Sequence, residues 1–282
     1  MAKPSAIYSP KNNLREPAEF AKFLFRELKK SWGLSLRIFV RDTKSLYREA
    51  FLGSFWLFLP AIALALSLGL AAKAQLINVS ELSVPYPAYV VVSTVLWQLF
   101  QDSVKAPVDA LEKSKKLLAK IQYPVEANIL AEVWQTLFNF SIKLVLIVSV
   151  FVFYKIKPNF LILFFPLGCL SLVILGLGLG LLLCPFSGLY KDVAAGLPHL
   201  MGFLMLLTPV FYGDSVQGTL KTVIDHNPLT FMIATSRDFI LGGNLDYLSG
   251  WILIGVISVP VLMIGWIYLR LSLPLIIERS GN

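Results

Sequence analysis

Charged residues are scarce in this chain. Asp, Glu, Lys and Arg make up 15% of its 282 residues, against 56% hydrophobic ones, whereas soluble domains usually carry about a quarter charged residues. Too little charge is left to clothe a water-facing surface, which argues against an ordinary soluble globule and makes lipid the solvent. Histidine is rarer still: only His199 and His226 occur. No His or Cys cluster stands at metal-ligand spacing, so zinc chemistry is disfavoured. Cys169 and Cys184 are 15 positions apart in one apolar segment, roughly 22 Å along a helix and beyond disulfide reach. A phosphate-cradling P-loop needs a Gly-Lys step before Ser or Thr, and no Gly-Lys dipeptide occurs anywhere, which excludes a nucleotide site of that kind. No convincing acid, base and nucleophile set assembles, and neither tandem repeats nor Gly/Ser- or Pro-rich linkers divide the chain. A single membrane domain is expected. The formal charge of +8 does not point to nucleic acid, because the basic residues sit beside apolar segments rather than along a soluble face.

Long apolar runs are what the sequence has in abundance. A transmembrane helix needs about 20 mostly apolar residues, and six runs qualify: Ser54 to Ala72, Tyr86 to Val104, Ile129 to Tyr154, Phe160 to Cys184, Val193 to Tyr212 and Gly250 to Leu269. Pro209 and Pro260 predict kinks in the last two. The first run follows a charged stretch of about fifty residues, which is not the layout of a cleavable signal peptide. Counted by alternate loops, 19 Lys and Arg lie on the side holding both termini and 5 on the other, with Lys143 inside a span. The positive-inside rule then puts both termini in the cytoplasm. The expected organisation is a cytoplasmic N-terminus over 1–53, a six-span domain over 54–269 and a cytoplasmic tail over 270–282.

Two further segments are apolar without qualifying as spans. From Ala18 to Trp32, Phe20, Phe23, Leu24 and Leu28 recur at helical spacing opposite Lys22, Arg26, Lys29 and Lys30. That pattern predicts an amphipathic helix along the cytoplasmic leaflet or, alternatively, one packed on protein. The stretch Gly213 to Ser249 carries Phe231, Met232, Ile233, Phe239 and Ile240, which fits re-entrant helices between spans five and six or a surface amphipathic helix.

Within the spans, Lys143 stands near mid-membrane, where a charge costs at least about 2.5 to 3.5 kcal/mol. It needs a wet cavity or a carboxylate, unless it snorkels. Glu132 is eleven positions away on the same helix, about 16 Å along the axis, and cannot be that carboxylate. Gly176 and Gly180 form a Gly-x-x-x-Gly pair suited to close helix packing, within the chain or between two copies.

A set of short segments, in order, resembles the permease subunits of ABC-2 type exporters for lipid-linked polysaccharides (O-antigen, teichoic acid, capsule). Entering span one, Arg41, Asp42, Lys44, Tyr47, Arg48, Leu52, Gly53, Trp56 and Pro60 look like the family's basic approach to its first helix. Pro85, Tyr86, Pro87, Tyr89, Trp97 and Phe100 follow in span two, then Lys115, Lys116, Ile121, Tyr123, Pro124 and Glu126 in the next loop. Tyr190, Lys191, Asp192 and Val193, Thr208 to Tyr212, and Asn227 with Pro228 continue the likeness to about Arg270. Ser93 stands where glycine is expected and Leu59 where glutamine is usual, which leaves the branch of the family open.

The resemblance implies an all-α integral membrane fold in the bacterial plasma membrane and a homodimeric channel. It also implies two copies of a separate cytoplasmic ATPase that supply ATP and Mg, with no cofactor in this chain. A short cytoplasmic helix would transmit nucleotide-driven closure, and Asp109 to Ile121 is the candidate. There Leu111, Leu117, Leu118 and Ile121 would enter an ATPase groove ringed by Lys113, Lys115, Lys116 and Lys120; a basic loop that only sets topology would use the same residues. Tyr190, Lys191 and Asp192 form a smaller candidate contact. Because sugar C–H faces pack on aromatic rings, Trp56, Tyr86, Tyr89, Trp97, Phe211 and Tyr212 are candidates for the substrate path, joined by Lys143. The alternatives are an ABC-2 exporter of drugs or small lipids and, from another class, a membrane-embedded transferase acting on lipid-linked sugars.

Overall fold

The computed structural model describes residues 17–49, 55–75, 84–118, 124–211 and 219–280, and every regular element among them is helical. In chain order these are α1 (Pro17–Glu49), α2 (Phe55–Lys73), α3 (Tyr86–Leu118), α4 (Val125–Tyr154), α5 (Phe165–Leu189), α6 (Lys191–Leu206), α7 (Thr219–His226), α8 (Pro228–Leu241) and α9 (Leu248–Ser280). A short 3-10 turn, Phe160–Phe164, leads into α5 after Asn159 caps it by accepting from the Phe160 amide at 2.6 Å. Four segments are long and apolar enough to cross a membrane: Phe55–Lys73, Val125–Tyr154, Phe160–Leu189 and Leu248–Arg279. The chain is therefore an all-α, multi-pass membrane protein.

The helix with the most polar composition for its place, α3, lies at the centre. It packs against α2, α4, α5 and α8, and Val90, Val92, Val95, Leu96, Trp97, Leu99 and Phe100 are almost wholly enclosed. Surrounded by protein rather than lipid, it tolerates Gln98, Gln101 and Asp102 that an outer helix would not. Glycine lets α5 approach it. A Cβ on Gly176 would stand 2.6 Å from the Ser103 Cβ, and one on Gly180 would collide with the Val104 carbonyl. On the opposite face Gly178 abuts α9, where a Cβ on Gly265 would meet the Gly178 carbonyl oxygen at 2.9 Å. The Gly-x-x-x-Gly pair thus serves packing within the chain.

Element limits depart from the apolar runs in three places. Helix α3 does not stop at Val104 but continues without a break to Leu118, so the Lys-rich segment expected as a loop begins as its rigid extension. Helix α6 ends at Leu206 rather than Tyr212: Pro209 has no amide to donate, and the chain turns through Thr208 to Val210 with short-range bonds only. Helix α9 passes Leu269 and Pro274 to reach Ser280.

Helix α1 is longer than the amphipathic pattern from Ala18 to Trp32 and crosses α4 near the start of the latter. Trp32 meets Trp134 edge-on at 5.0 Å, Phe39 meets Phe138 at 5.8 Å, and Thr43 donates to Gln135 at 2.7 Å. Helix α8 lies inside the bundle, with ten of its fourteen residues buried. It packs on α5, α9 and α3, which sets aside the surface-helix alternative for this segment.

Candidate functional site

Polar groups gather at two ends of the bundle. One end collects the start of α3, the exit of α6 and helix α8. After α6 ends, carbonyls of the turn that follows it have no helical partners, and side chains from elsewhere take them up. The Tyr86 hydroxyl donates to the Phe211 carbonyl at 2.8 Å and the Tyr89 hydroxyl to the Pro209 carbonyl at 3.3 Å. Arg237 of α8 donates from Nη1 to the Tyr89 hydroxyl at 2.5 Å and to the Pro209 carbonyl at 3.0 Å. Its guanidinium carbon lies 4.3 Å from the centroid of the Tyr89 ring, a cation–π distance. Asp238 stands 3.5 Å from Arg237 Nε. A buried guanidinium is tolerable only when so many of its donors are occupied. Asn227 completes the join, donating to the Leu207 carbonyl at 3.0 Å while its own oxygen accepts from the Leu229 amide and caps α8.

The opposite end collects the exit of α3, the start of α4 and the last turns of α5 and α9. Here the joins are ionic. Lys113 pairs with Glu132 at 2.6 Å on the surface, and Arg270 of α9 pairs with Glu126 of α4 at 2.7 Å with both side chains nearly enclosed. Glu126 lies in the first turn of α4, where the helix dipole favours an anion. Lys115 donates to the Ser187 carbonyl at 3.2 Å near the end of α5, the complementary arrangement for a cation. Between the two ends, near the middle of both helices, Lys143 of α4 donates to Asp102 of α3 at 3.0 Å.

The residues singled out in the sequence fall into distinct settings. Leu111 is fully enclosed in a cluster with Val125, Leu181, Cys184 and Ile276, so it faces the bundle and not a groove outside it. Lys116, Leu117 and Leu118 continue the α3 backbone, with their side chains outside the described residues, as are Lys120, Ile121 and Tyr212 altogether. Tyr190, Lys191 and Asp192 are exposed at the α5–α6 junction, and the Arg279 guanidinium lies 5.3 Å from the Tyr190 ring centroid. Trp56 is exposed on α2, whereas Tyr86, Tyr89 and Trp97 are interior, and Phe211 is half-buried. Phe20, Phe23, Leu24, Arg26 and Leu28 lie on the α1 backbone with side chains outside the described residues, and Lys29 and Lys30 are exposed. Among the described residues no group of three or more His, Cys, Asp or Glu stands ready for a metal.

Sequence inspection passed over Arg237, Asp102 and Arg270. A lone cation in the otherwise apolar Leu229 to Leu241 was a usable signal for Arg237. Asp102 stands near the end of the second apolar run and Arg270 just past the sixth, positions in which a charge marks a polar boundary as readily as a buried pair.

This architecture has relatives. The sequence profile of the ABC-2 type transporter family matches residues 35–241. The chain belongs to that family. Curated relatives that bear the name O-antigen export system permease protein RfbA are similar to it. The one from Myxococcus xanthus is 26% identical over 212 residues, covering 75% of this chain and 78% of its own length. One from Klebsiella pneumoniae is 21% identical over 210 residues, covering 73% and 80%. The matched region runs from within α1 to the end of α8, so both polar ends include residues of the family domain. The chain holds no Gly-Lys step, so a P-loop nucleotide site of that kind is excluded from it.

Proposed function

We propose that this permease is the channel subunit of an ATP-driven exporter that moves a lipid-linked polysaccharide, such as O-antigen, teichoic acid or capsular glycan, out of the cytoplasm. The observation that carries this reading is the similarity, over about three quarters of the chain, to relatives named as O-antigen export permeases. In the working assembly two copies enclose the path, and two copies of a cytoplasmic ATPase bind ATP and Mg.

Six crossings by α2, α3, α4, α5, α6 and α9 in the bacterial plasma membrane, with both termini cytoplasmic, fit the helix order and the 19 to 5 distribution of Lys and Arg. The ion-pair end is then cytoplasmic. With 33 residues, α3 is about 50 Å long against a hydrocarbon core of about 30 Å, so its last turns stand clear of the membrane. This supports Lys113, Lys115, Lys116, Leu117 and Leu118, with Lys120 and Ile121 beyond them, as the ATPase-coupling segment. Leu111 then anchors that segment, and Tyr190, Lys191 and Asp192 supply a second contact. The crossing of α1 over the start of α4 is compatible with an interfacial helix carrying Phe20 to Lys30. The burial of α8 supports a re-entrant α7–α8 pair at the outer end. For the substrate path, the exposed Trp56 and the region of Phe211 and Tyr212 are the surface candidates. Tyr86, Tyr89 and Trp97 back that wall, and Lys143 is held behind it by Asp102.

The deciding experiment is co-reconstitution with the partner ATPase in vesicles and addition of lipid-linked glycan. Stimulated ATP hydrolysis with glycan crossing the membrane is expected. Stimulation by small amphipathic drugs but not by glycan would transfer the protein to the drug or small-lipid exporters, and ATP-independent glycosyl transfer would overturn the reading.

A further inference from the structure

Helix α9 runs past the apolar stretch that predicts it. That stretch ends at Leu269, yet the helix continues to Ser280, and Pro274 deprives it of one backbone bond on the way. At 33 residues it is about 50 Å long, against a hydrocarbon core of about 30 Å. A helix interrupted near its end is held by its surroundings rather than by its own ladder. Leu269, Leu273 and Ile276 stand at i, i+4 and i+7 on one face, and all three are buried in a cluster with Leu111 of α3, Val125 of α4 and Leu181 and Cys184 of α5. On the opposite face Leu271, Leu275 and Glu278 are exposed.

Three helices meet at Gly188. With no side chain there, Ile276 of α9 and Leu111 of α3 both close on the α5 backbone: a Cβ on Gly188 would stand 2.9 Å from Ile276 Cδ1 and 3.0 Å from Leu111 Cδ2. Just before this point the Ser187 carbonyl accepts from Lys115 at 3.2 Å. Just after it the Tyr190 ring centroid lies 5.3 Å from the Arg279 guanidinium, a cation–π distance. Lys115 and Tyr190 belong to the two segments proposed above as ATPase contacts, so the end of α9 touches the elements that carry both. Ile276 packs beside Leu111, one turn before Lys115, and Arg279 faces Tyr190 itself. A load on either segment therefore reaches the other through α9 as well as through the single Lys115–Ser187 bond. At the root of the extension Arg270 is fixed to Glu126 at 2.7 Å, which anchors it in the bundle.

We infer that residues 270–280 of α9 are a positioning strut, which holds the end of α3 and the α5–α6 junction in fixed relation so that both ATPase contacts move as one unit. Ile276 and Arg279 are its positioning residues, acting through Leu111 and Tyr190. What the contacts touch rests on the export reading; the strut itself is a property of this chain.

The test compares the full chain with a double variant, Ile276→Ala and Arg279→Ala, and with Leu271→Ala on the exposed face as control. In nanodiscs, amide hydrogen exchange should rise over 109–118 and over 189–195 together in the double variant and over neither in the control. In vesicles with the partner ATPase and lipid-linked glycan, the double variant should keep its ATP hydrolysis while glycan moved per ATP falls about fivefold, the low end of ordinary coupling between sites. A loss of packing alone would lower thermal stability and leave that ratio unchanged. A chain ending at Leu273, which keeps the Arg270–Glu126 pair, is the second variant should the first not fold. Exchange rising only over 270–280, or a glycan-to-ATP ratio equal to that of the unaltered protein, would overturn the strut. If the unaltered protein moves no glycan, the export reading falls instead, and the exchange pattern still decides the strut.

Discussion

The two ends of the bundle hold their helices together by different chemistry. At the tyrosine end, hydroxyls and one guanidinium satisfy the Pro209 and Phe211 carbonyls in the turn that follows α6 after Leu206. At the ion-pair end, carboxylates at the start of α4 meet cations from α3 and α9. The first arrangement closes a break in a helix, and its geometry is set by the position of the backbone. The second links intact helices mainly through charged side chains, with Lys115 also reaching the Ser187 carbonyl, so its exposed pair can lengthen without unfolding any turn. If nucleotide-driven motion enters from the ATPase side, the ionic end is the one built to yield and the tyrosine end the one built to hold.

Four substitutions rank the joins. Arg270→Leu should have the largest effect, because it strands the enclosed Glu126 carboxylate. A loss of about 3 kcal/mol is expected, read by thermal unfolding in detergent, and the double change Glu126→Leu with Arg270→Leu should recover most of it. Arg237→Leu comes next. It removes the donor shared by the Pro209 carbonyl and the Tyr89 hydroxyl, for a loss of about 2 kcal/mol, with hydrogen–deuterium exchange rising over 207–211 and not at the ion-pair end. Tyr89→Phe keeps the ring beneath the guanidinium and deletes only the hydroxyl, so about 1 kcal/mol is expected in the same assay. Lys113→Ala should change stability least, within about 0.5 kcal/mol, because the Lys113 side chain is more than half exposed and its pair with Glu132 is partly screened. Its measurable consequence, if the coupling proposal holds, is ATP hydrolysis no longer matched to export. An Arg237→Leu variant as stable as the parent protein would erase the contrast between the ends, and a large loss from Lys113→Ala would invert it.

Much of the helical layout was legible in the sequence. Runs of about 20 apolar residues marked α2, α4, α5 and α9, and turn prolines set the start of α3. Legibility failed where the surroundings mattered. The second apolar run stops at Val104, just past the polar Asp102, but a helix enclosed by protein can carry Asp102 at its middle when Lys143 is beside it and continue to Leu118. The end of span five was carried past Pro209 because the residues remain apolar. The break is evident only with Tyr86, Tyr89 and Arg237 in place to take up the Pro209 and Phe211 carbonyls. Of the candidate site residues, Tyr86, Tyr89 and Lys143 had polar partners 125, 120 and 41 positions away, and no local pattern encodes such pairings.

The sequence by itself determined that this is a membrane protein, roughly where its helices lie and, through its motifs, the family it belongs to. Hydrophobicity over a helix length and residue order are local properties, and the chain carries them before it folds. Only the tertiary structure decided that Gly176 and Gly180 seat α5 on α3, that Glu126 answers Arg270, and that the last turns of α9 meet α3 and α5 at Gly188. Those outcomes depend on which surfaces fit once the helices are side by side, and fit belongs to pairs of elements rather than to either one alone.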